Sequence, residues 1–355
     1  MRRPEEQGDS DMEEITIRDI AKMCGVGVST VSRAINNHQD INPETKAMIM
    51  EVIEKHGYIP NNSARNLKRT DAKSIAVLVK GISNPFFSKM IKIIEKEVKK
   101  RKYSMVLHHV EFNEDEVDVA LELVKEKRLR GIIFLGGYFI HSEEKLAKLS
   151  VPFVLSTIGC AAGTDEENTY STVSVDDEAE SYKVVDFLIK SGHRKIAMLG
   201  ADPADESIGK LRLLGYMKAL KDNGIAYDEK LIGHMDKEVE FYSLENGYRV
   251  ANRLLDSKVE FTAIYAMSDM LGIGAYKALF EHGKKIPEDY TVVGFDGIEM
   301  SEYITPTLTT LRQPIEEIAI ETVRQLFLVM DGGKENAHRI FPGELMVRDS
   351  FRPLV

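Results

Sequence analysis

Within "GVGVSTVSRAINN" (residues 25–37), Ser29, Ser32, Arg33 and Asn36 recur at i, i+3, i+4 and i+7. That is the spacing of one stripe on an α-helix, and Val31, Ala34 and Ile35 fall on the other side. Small hydroxyls, an amide and one arginine make a poor core, but they make a good surface for a polar partner. The chemistry open to such a set is recognition of duplex DNA. Arg33 can offer two donors to a guanine edge in the major groove, and Val28 or Ser29 can approach a base edge or a thymine methyl. Thr30, Ser32 and Asn36 suit phosphate oxygens, contacts that fix register without reading sequence. The competing reading is an ordinary solvated helix face. A second basic segment at Arg65, Lys68 and Arg69 weighs against it.

Three short helices can position this stripe. Thr16 is a cap for a first helix with an acidic third position at Asp19, and Ile17, Ile20 and Ala21 recur at helical spacing. A tight break at Cys24-Gly25-Val26 leads into the stripe itself. Asn42-Pro43-Glu44 starts a third helix, with Met48, Ile49, Val52 and Ile53 on its apolar side up to Gly57. The pattern is that of a helix-turn-helix head over residues 15–60. Residues 61–72 follow as a polar, basic linker with room for one or two helical turns.

From Ser74 the texture changes. Apolar, β-branched runs such as "SIAVLV", "GIIFLG", "KIAMLG", "TAIYAM" and "TVVGFD" alternate with helical patterns, which implies parallel sheets covered on both faces. Some 280 residues is large for one such layer, so two α/β subdomains flanking a cleft are expected.

Net charge is −10, yet it is unevenly placed: residues 1–14 carry −4, residues 15–73 carry +3 and the remainder −9. Acidic repulsion disfavours DNA everywhere except at the one basic segment. Two cysteines are too few for a disulfide framework or a cysteine metal site, no run approaches a membrane span, and "MRRPEEQGDSDMEE" lacks the apolar core of a signal peptide. A cytoplasmic protein without metal or cofactor is expected. The chain also lacks a G-x-S-x-G elbow, a P-loop, a G-x-G-x-x-G turn and a His pair at helical zinc spacing, which argues against an enzyme. His108 and His109 are neighbours on a strand and point apart, and His193 reads as a turn residue.

The stretches "TIRDIAKMCGVGVSTVSRAINN", "INPETKAMIMEVIEKHGYIPNNSARNLK", "ISNPFF", "SGHRKIAMLG", "MSDMLGIGAYKAL" and "IPEDYTVVGFDGIEMSEYITPTLTTLRQP" together resemble the lac-repressor (LacI/GalR) family of transcription regulators, from about residue 15 to 350. Only the acidic first 14 residues, read as a disordered tail, fall outside. The resemblance implies an all-α head on a periplasmic-binding-protein-like core of two parallel-sheet α/β subdomains, placed at about 73–157 with 288–314 and 158–287 with 315–355. It implies a homodimer on a palindromic operator, with Asn61, Ala64, Arg65, Leu67 and Lys68 in a hinge helix and Leu67 wedged into the minor groove. A wedge of that kind exchanges unstacking for a bend that brings basic surface to phosphate. Thr16 and Gly27 fall at phosphate-contacting helix starts. The family usually has Ser or Thr where this chain has Gly27.

In the core the resemblance implies an effector pocket formed by Phe86, Phe87, Thr157, Arg212, Tyr242 and Asp269. Ser268 stands where an Asn is common, and Thr157 stands near a point where some members present an acid. Aromatic faces, an arginine fork and a carboxylate are groups that hold a polyol ring. Taken one by one, Phe86 and Phe87 could equally be core, and Arg212 and Asp269 surface ion partners. A sugar or sugar phosphate is the expected effector, with a nucleobase as the alternative. A periplasmic-type binding protein would not need residues 15–70. Regulation by a protein partner stays open, and with no heptad extension near the end a dimer is the expectation.

Overall fold

The computed structural model describes residues 15–35, 38, 40–58, 73–138, 143–159, 170–200, 207–333 and 336–355. The acidic tail over 1–14, Asn36 and the hinge positions Asn61, Ala64, Arg65, Leu67 and Lys68 lie outside the described residues. The chain divides into two compact units, 1–71 and 72–355.

The first unit holds α1 (Ile17–Met23), α2 (Val28–Ile35) and α3 (Pro43–Lys55). Each start follows from its capping chemistry. The Thr16 amide donates to the Asp19 carboxylate at 2.9 Å, and Asn42 Oδ1 accepts from the amides of Glu44 and Thr45 with Pro43 at the first helical position. Gly25, at φ +65°, makes the turn between α1 and α2 in a conformation that disfavours side chains. Ile20, Val31, Ala34 and Ile49 lose all solvent contact and form the small core, with Ala21 beside them.

The second unit contains two six-stranded sheets among the described residues. The first takes β1 (Ser74–Lys80), β2 (Ser104–Val110), β3 (Leu129–Leu135), β4 (Phe153–Ser156), β5 (Ser171–Ser174) and β11 (His338–Ile340), in the order β11-β5-β4-β3-β1-β2 and all parallel. The second takes β6 (Ile196–Leu199), β7 (Ile232–Gly233), β8 (Ala263–Ala266), β9 (Thr291–Asp296), β10 (Thr309–Arg312) and β12 (Glu344–Met346), in the order β12-β10-β9-β8-β6-β7; only β12 runs antiparallel to its neighbour. Central strands such as Ile75–Val79 are buried on both faces, as their unbroken β-branched runs require. Helices α4 (Pro85–Lys100), α5 (Glu116–Glu126), α6 (Glu143–Leu146), α7 (Asp177–Lys190), α8 (Ile208–Asp222), α9 (Leu244–Asp256), α10 (Asp269–Glu281) and α11 (Ile315–Met330) intervene along the chain. None of the described helices is long and apolar enough to cross a membrane.

The sheet order corrects the expected subdomain limits. Residues 288–314 do not join the first sheet: β9 and β10 extend the second one beyond β8. The segment 315–355 is split between the two. Its helix α11 packs on β3, β4, β5 and α4, with Ser156 Oγ and Thr322 Oγ1 2.7 Å apart, and β11 pairs with β5, whereas β12 returns to β10. Among the described residues the chain passes between the sheets three times, near 175–176, 313–314 and 341–343. Periodicity reveals a strand, but not which sheet edge it joins.

Candidate functional site

In the head, α2 turns Val31 and Ala34 inward and leaves Val28, Ser29 and Arg33 exposed, with Thr30 and Ser32 partly so. The carbonyl of Gly27 accepts from the amides of Thr30 and Val31, so Gly27 is the N-cap and carries no side chain to add a second acceptor. Arg33 lies 3.3 Å from the Asp40 carboxylate, both more than half exposed. Exposed pairs of this kind are worth about 0 to 1 kcal/mol, so the guanidinium is available to a groove. Thr16 is exposed at the start of α1. Asn36, the fourth member of the stripe, is outside the described residues.

In the core, the C-terminal ends of the strands of both sheets face one cavity of about 610 Å³. This is where open α/β sheets bind ligands. Lys80 ends β1; Phe112 follows β2; Gly136, Gly137 and Tyr138 follow β3; Thr157 follows β4; Tyr242 follows β7; Asp296 ends β9. The Gly136-Gly137 pair has a steric reason: a Cβ on Gly136 would fall 2.8 Å from the Lys80 carbonyl, and one on Gly137 would collide with Glu116. That turn lets the Tyr138 amide donate to Glu116 at 2.7 Å.

Arg212, on α8, lies at the polar heart of the cavity and is almost wholly buried. Its Nε donates to Asp177 at 2.9 Å, Nη1 donates to the Met267 carbonyl and lies 3.7 Å from Asp296, and the guanidinium stacks 3.7 Å from the centre of the Phe295 ring. Burial opposes its charge, but Asp177 and Asp296 outweigh burial and hold its pKa above the ordinary value. The same burial pushes Asp177 up to about 6, against the pull of Arg212, and pushes Asp296 upward. Asp296 is also held by Gln313 Nε2 at 2.9 Å and by Asn84 Nδ2 at 3.2 Å. Since Asn84 belongs to the first subdomain, that last bond crosses the cleft. A second buried pair, Lys80 with Glu116 at 3.2 Å, lies on the other wall, with Lys80 Nζ 4.0 Å above the Tyr138 ring.

Asp269 is corrected by the structure. It does not line the cavity: fully buried at the start of α10, it accepts from the Ile298 amide at 2.8 Å and from Thr310 Oγ1 at 2.5 Å, and its neighbour Ser268 faces the cavity instead. As the first residue of α10, its side chain turns into the second sheet and not across the strand ends. Burial, then the charge of Asp296, raises it to about 8. Phe86, Phe87, Thr157, Arg212 and Tyr242 do line the cavity, and both phenylalanines are core residues as well. Neither Arg212 nor Asp269 is a surface ion partner. Thr157, Tyr242 and Asp296 all have positive φ, at 64°, 55° and 119°. Such strain costs of order 1–3 kcal/mol per residue and collects at functional sites.

Two family models match the chain. The model for bacterial regulatory proteins of the lacI family matches residues 16–61, and the model for a periplasmic binding protein-like domain matches residues 185–351. The HTH-type transcriptional regulator MalR of Clostridium butyricum is 40% identical over 338 residues, 95% of this chain and 99% of that protein. The chain belongs to the lacI family of bacterial regulatory proteins. Another relative in that family is the repressor CytR of Escherichia coli, 30% identical over 96% of this chain and 97% of its own length. Among solved structures, a transcriptional regulator CelR–cellobiose complex is 28% identical with a TM-score of 0.68, over 95% of this chain and all of that one. A LacI-family regulator from Enterococcus faecium with bound ribose is 29% identical with a TM-score of 0.67, over 80% of this chain and all of that one. The protein is a DNA-binding transcriptional regulator, with the lacI-family match in its first unit and the periplasmic binding protein-like match in its second.

For a lacI-family core, sequence reasoning missed much of the lining: Lys80, Asn84, Phe112, Tyr138, Phe241, Asp296 and Gln313. Two signals were present. Asp296 ends the run "TVVGFD" just before a glycine, the strand-end position where ligands bind. Phe112 is an aromatic residue in an otherwise polar loop that directly follows the strand pattern over 104–110, whereas no such signal precedes Phe241.

Proposed function

We propose that operator binding by this regulator is controlled by a neutral sugar held in the cleft of the core, and that two copies of the chain act together on a palindromic site. One observation carries the sugar reading: each buried cation in the cavity is already matched by a carboxylate. Arg212 is matched by Asp177 and Asp296, and Lys80 by Glu116, while the rim adds Glu111, Glu238 and Glu240 against Lys237. A phosphate ester entering this field would meet an excess of like charge. Neutral hydroxyls suit it, because each can donate to a carboxylate and accept from a guanidinium or ammonium, with apolar ring faces against Phe87, Tyr138 and Tyr242. The sugar-bound relatives agree with that reading. It makes the cleft a binding site: Arg212, Asp296 and Asn84 are held to one another, and among the described lining residues no nucleophile is set against a base.

On DNA, Val28, Ser29 and Arg33 are the base-reading residues of this proposal. Thr16, Gly27, Thr30, Ser32 and Asn36 are its phosphate contacts, and Asn61, Ala64, Arg65, Leu67 and Lys68 its minor-groove contacts. Selection of a randomised duplex pool on the full chain, followed by binding titrations with neutral sugars and with their phosphate esters, tests both parts. Enrichment of a palindrome whose affinity shifts with a neutral sugar is the expected result. Failure to enrich any duplex with or without sugars would overturn the operator reading, and tighter binding of a phosphate ester would overturn the neutral one.

A further inference from the structure

Phe112 and Phe241 come from opposite sides of the cleft and stack with ring centroids 3.8 Å apart and planes inclined by 23°. Phe112 sits in the loop after β2, Phe241 in the loop between β7 and α9, and both line the cavity; Phe112 is also 40% exposed. A residue that borders a chamber on one side and solvent on the other marks the chamber's end. We propose that this aromatic pair is a length gate, which sets the number of sugar rings the closed cleft accepts. The inference rests on the neutral-sugar reading above and deepens it.

Three further observations make the pair a fixed wall. The loop bearing Phe241 is pinned from beneath by Asn246, fully buried, whose side chain donates to the carbonyls of Asp236 and Glu240 and accepts from the Asp236 amide. The loop bearing Phe112 is held by Lys80, which donates to the Glu114 carbonyl at 2.6 Å, and by Glu114, which accepts from the Glu111 amide. The cleft is crossed again by Ser83 Oγ donating to Glu240 and by a backbone bridge between Tyr138 and Ser207. The rings are already in contact, so no sugar ring fits between them. Behind them lie about 610 Å³. That is roughly twenty waters at liquid density, space for a short oligomer and not for a long one. An oligomer extended toward this end of the cavity meets the two stacked rings.

The test is calorimetric titration of the full chain with glucose and its α-1,4- and β-1,4-linked oligomers, from the monomer to the hexamer. The protein should bind a short oligomer of one linkage and lose at least about tenfold in affinity at the hexamer. In Phe112→Ala and Phe241→Ala the hexamer should come within about threefold of the short oligomer, whereas Phe112→Leu, which keeps the bulk, should retain the cutoff. Circular dichroism of each variant verifies folding, and the two alanine variants lie on separate loops, so each tests the gate without the other. Hexamer binding by the unmodified protein as tight as that of the short oligomer would overturn the gate while leaving the sugar reading intact. The same follows if both alanine variants weaken every length by one common factor. No binding of any glucose oligomer would overturn the gate, and would leave the sugar reading to the neutral-sugar titrations proposed above.

Discussion

Gly27 opens α2 without a side chain, and the space beside it is already adequate for one. A Cβ there would meet Ser29 Oγ at 3.5 Å and Thr30 Oγ1 at 3.9 Å, ordinary contacts, and its φ is not in the left-handed region. Gly27→Ser should therefore fold unchanged, stabilise the helix start by a few tenths of a kcal/mol and add a phosphate donor. Operator titrations should show tighter binding with the same base preference; a flat affinity or an altered preference would count against it. Asp269 offers a residue-scale test in the core. Burial raises its pKa to about 8 from the ordinary 3.8, so the folded protein keeps a proton that the unfolded chain has released. The stabilisation is complete below the ordinary carboxyl value and is lost as pH rises through about 8. Burial lowers the pKa of His193 from 6.5, which acts the opposite way at lower pH, so the window to read is pH 6.5 to 8, where Asp296, also raised by burial, acts in the same direction as Asp269. Urea unfolding should show stability falling by about 2 kcal/mol across that window. Asp269→Asn, which can still accept from the Ile298 amide and donate to Thr310 Oγ1, should flatten the slope, leaving only what Asp296 contributes.

At the scale of elements, the head divides its work between α2 and the basic hinge segment. Arg33, exposed on α2, should read a base, so Arg33→Ala should cost about 1–3 kcal/mol at the preferred operator and relax discrimination at one position. Lys68→Ala should weaken binding evenly across sequences and lower the salt slope by about one. Titrations against a set of single-base operator variants at several salt concentrations separate the two; equal loss of discrimination in both would refute the division. The helices and strands themselves were legible because their signals are local: Asn42-Pro43 starts α3, Asp115 caps α5 with two amides, and "SIAVLV" is a strand buried on both faces. What was not legible is long-range. The strand "TVVGFD" reads the same in either sheet, and it joins the second because β8 offers its edge there. Asp269 likewise looks like a pocket acid in "MSDM", and only its place as the first residue of α10 decides that it points away from the cavity.

For the whole molecule, the decisive question is how cleft closure reaches the head. Asn84 is the residue through which to ask it. Its Nδ2 bonds Asp296 across the cleft at 3.2 Å while its Oδ1 caps α4 through the Phe86 amide at 3.0 Å. Asn84→Asp keeps the cap, because aspartate accepts that amide equally well, but it removes the bridging donor and sets a second carboxylate against Asp296. The closed arrangement should then be disfavoured, and effector affinity should fall about tenfold, the size expected from one lost buried bond plus like-charge repulsion. If closure is the state that couples core to operator, the substitution must also act without any ligand. Operator affinity of the ligand-free variant should shift in the direction opposite to the shift that the effector produces in the unmodified protein, because both move one equilibrium. The prediction does not depend on whether the effector strengthens or weakens DNA binding. Operator affinity that stays unchanged while effector affinity drops would mean that the Asn84–Asp296 bond contributes to the site alone, and that another contact carries the signal.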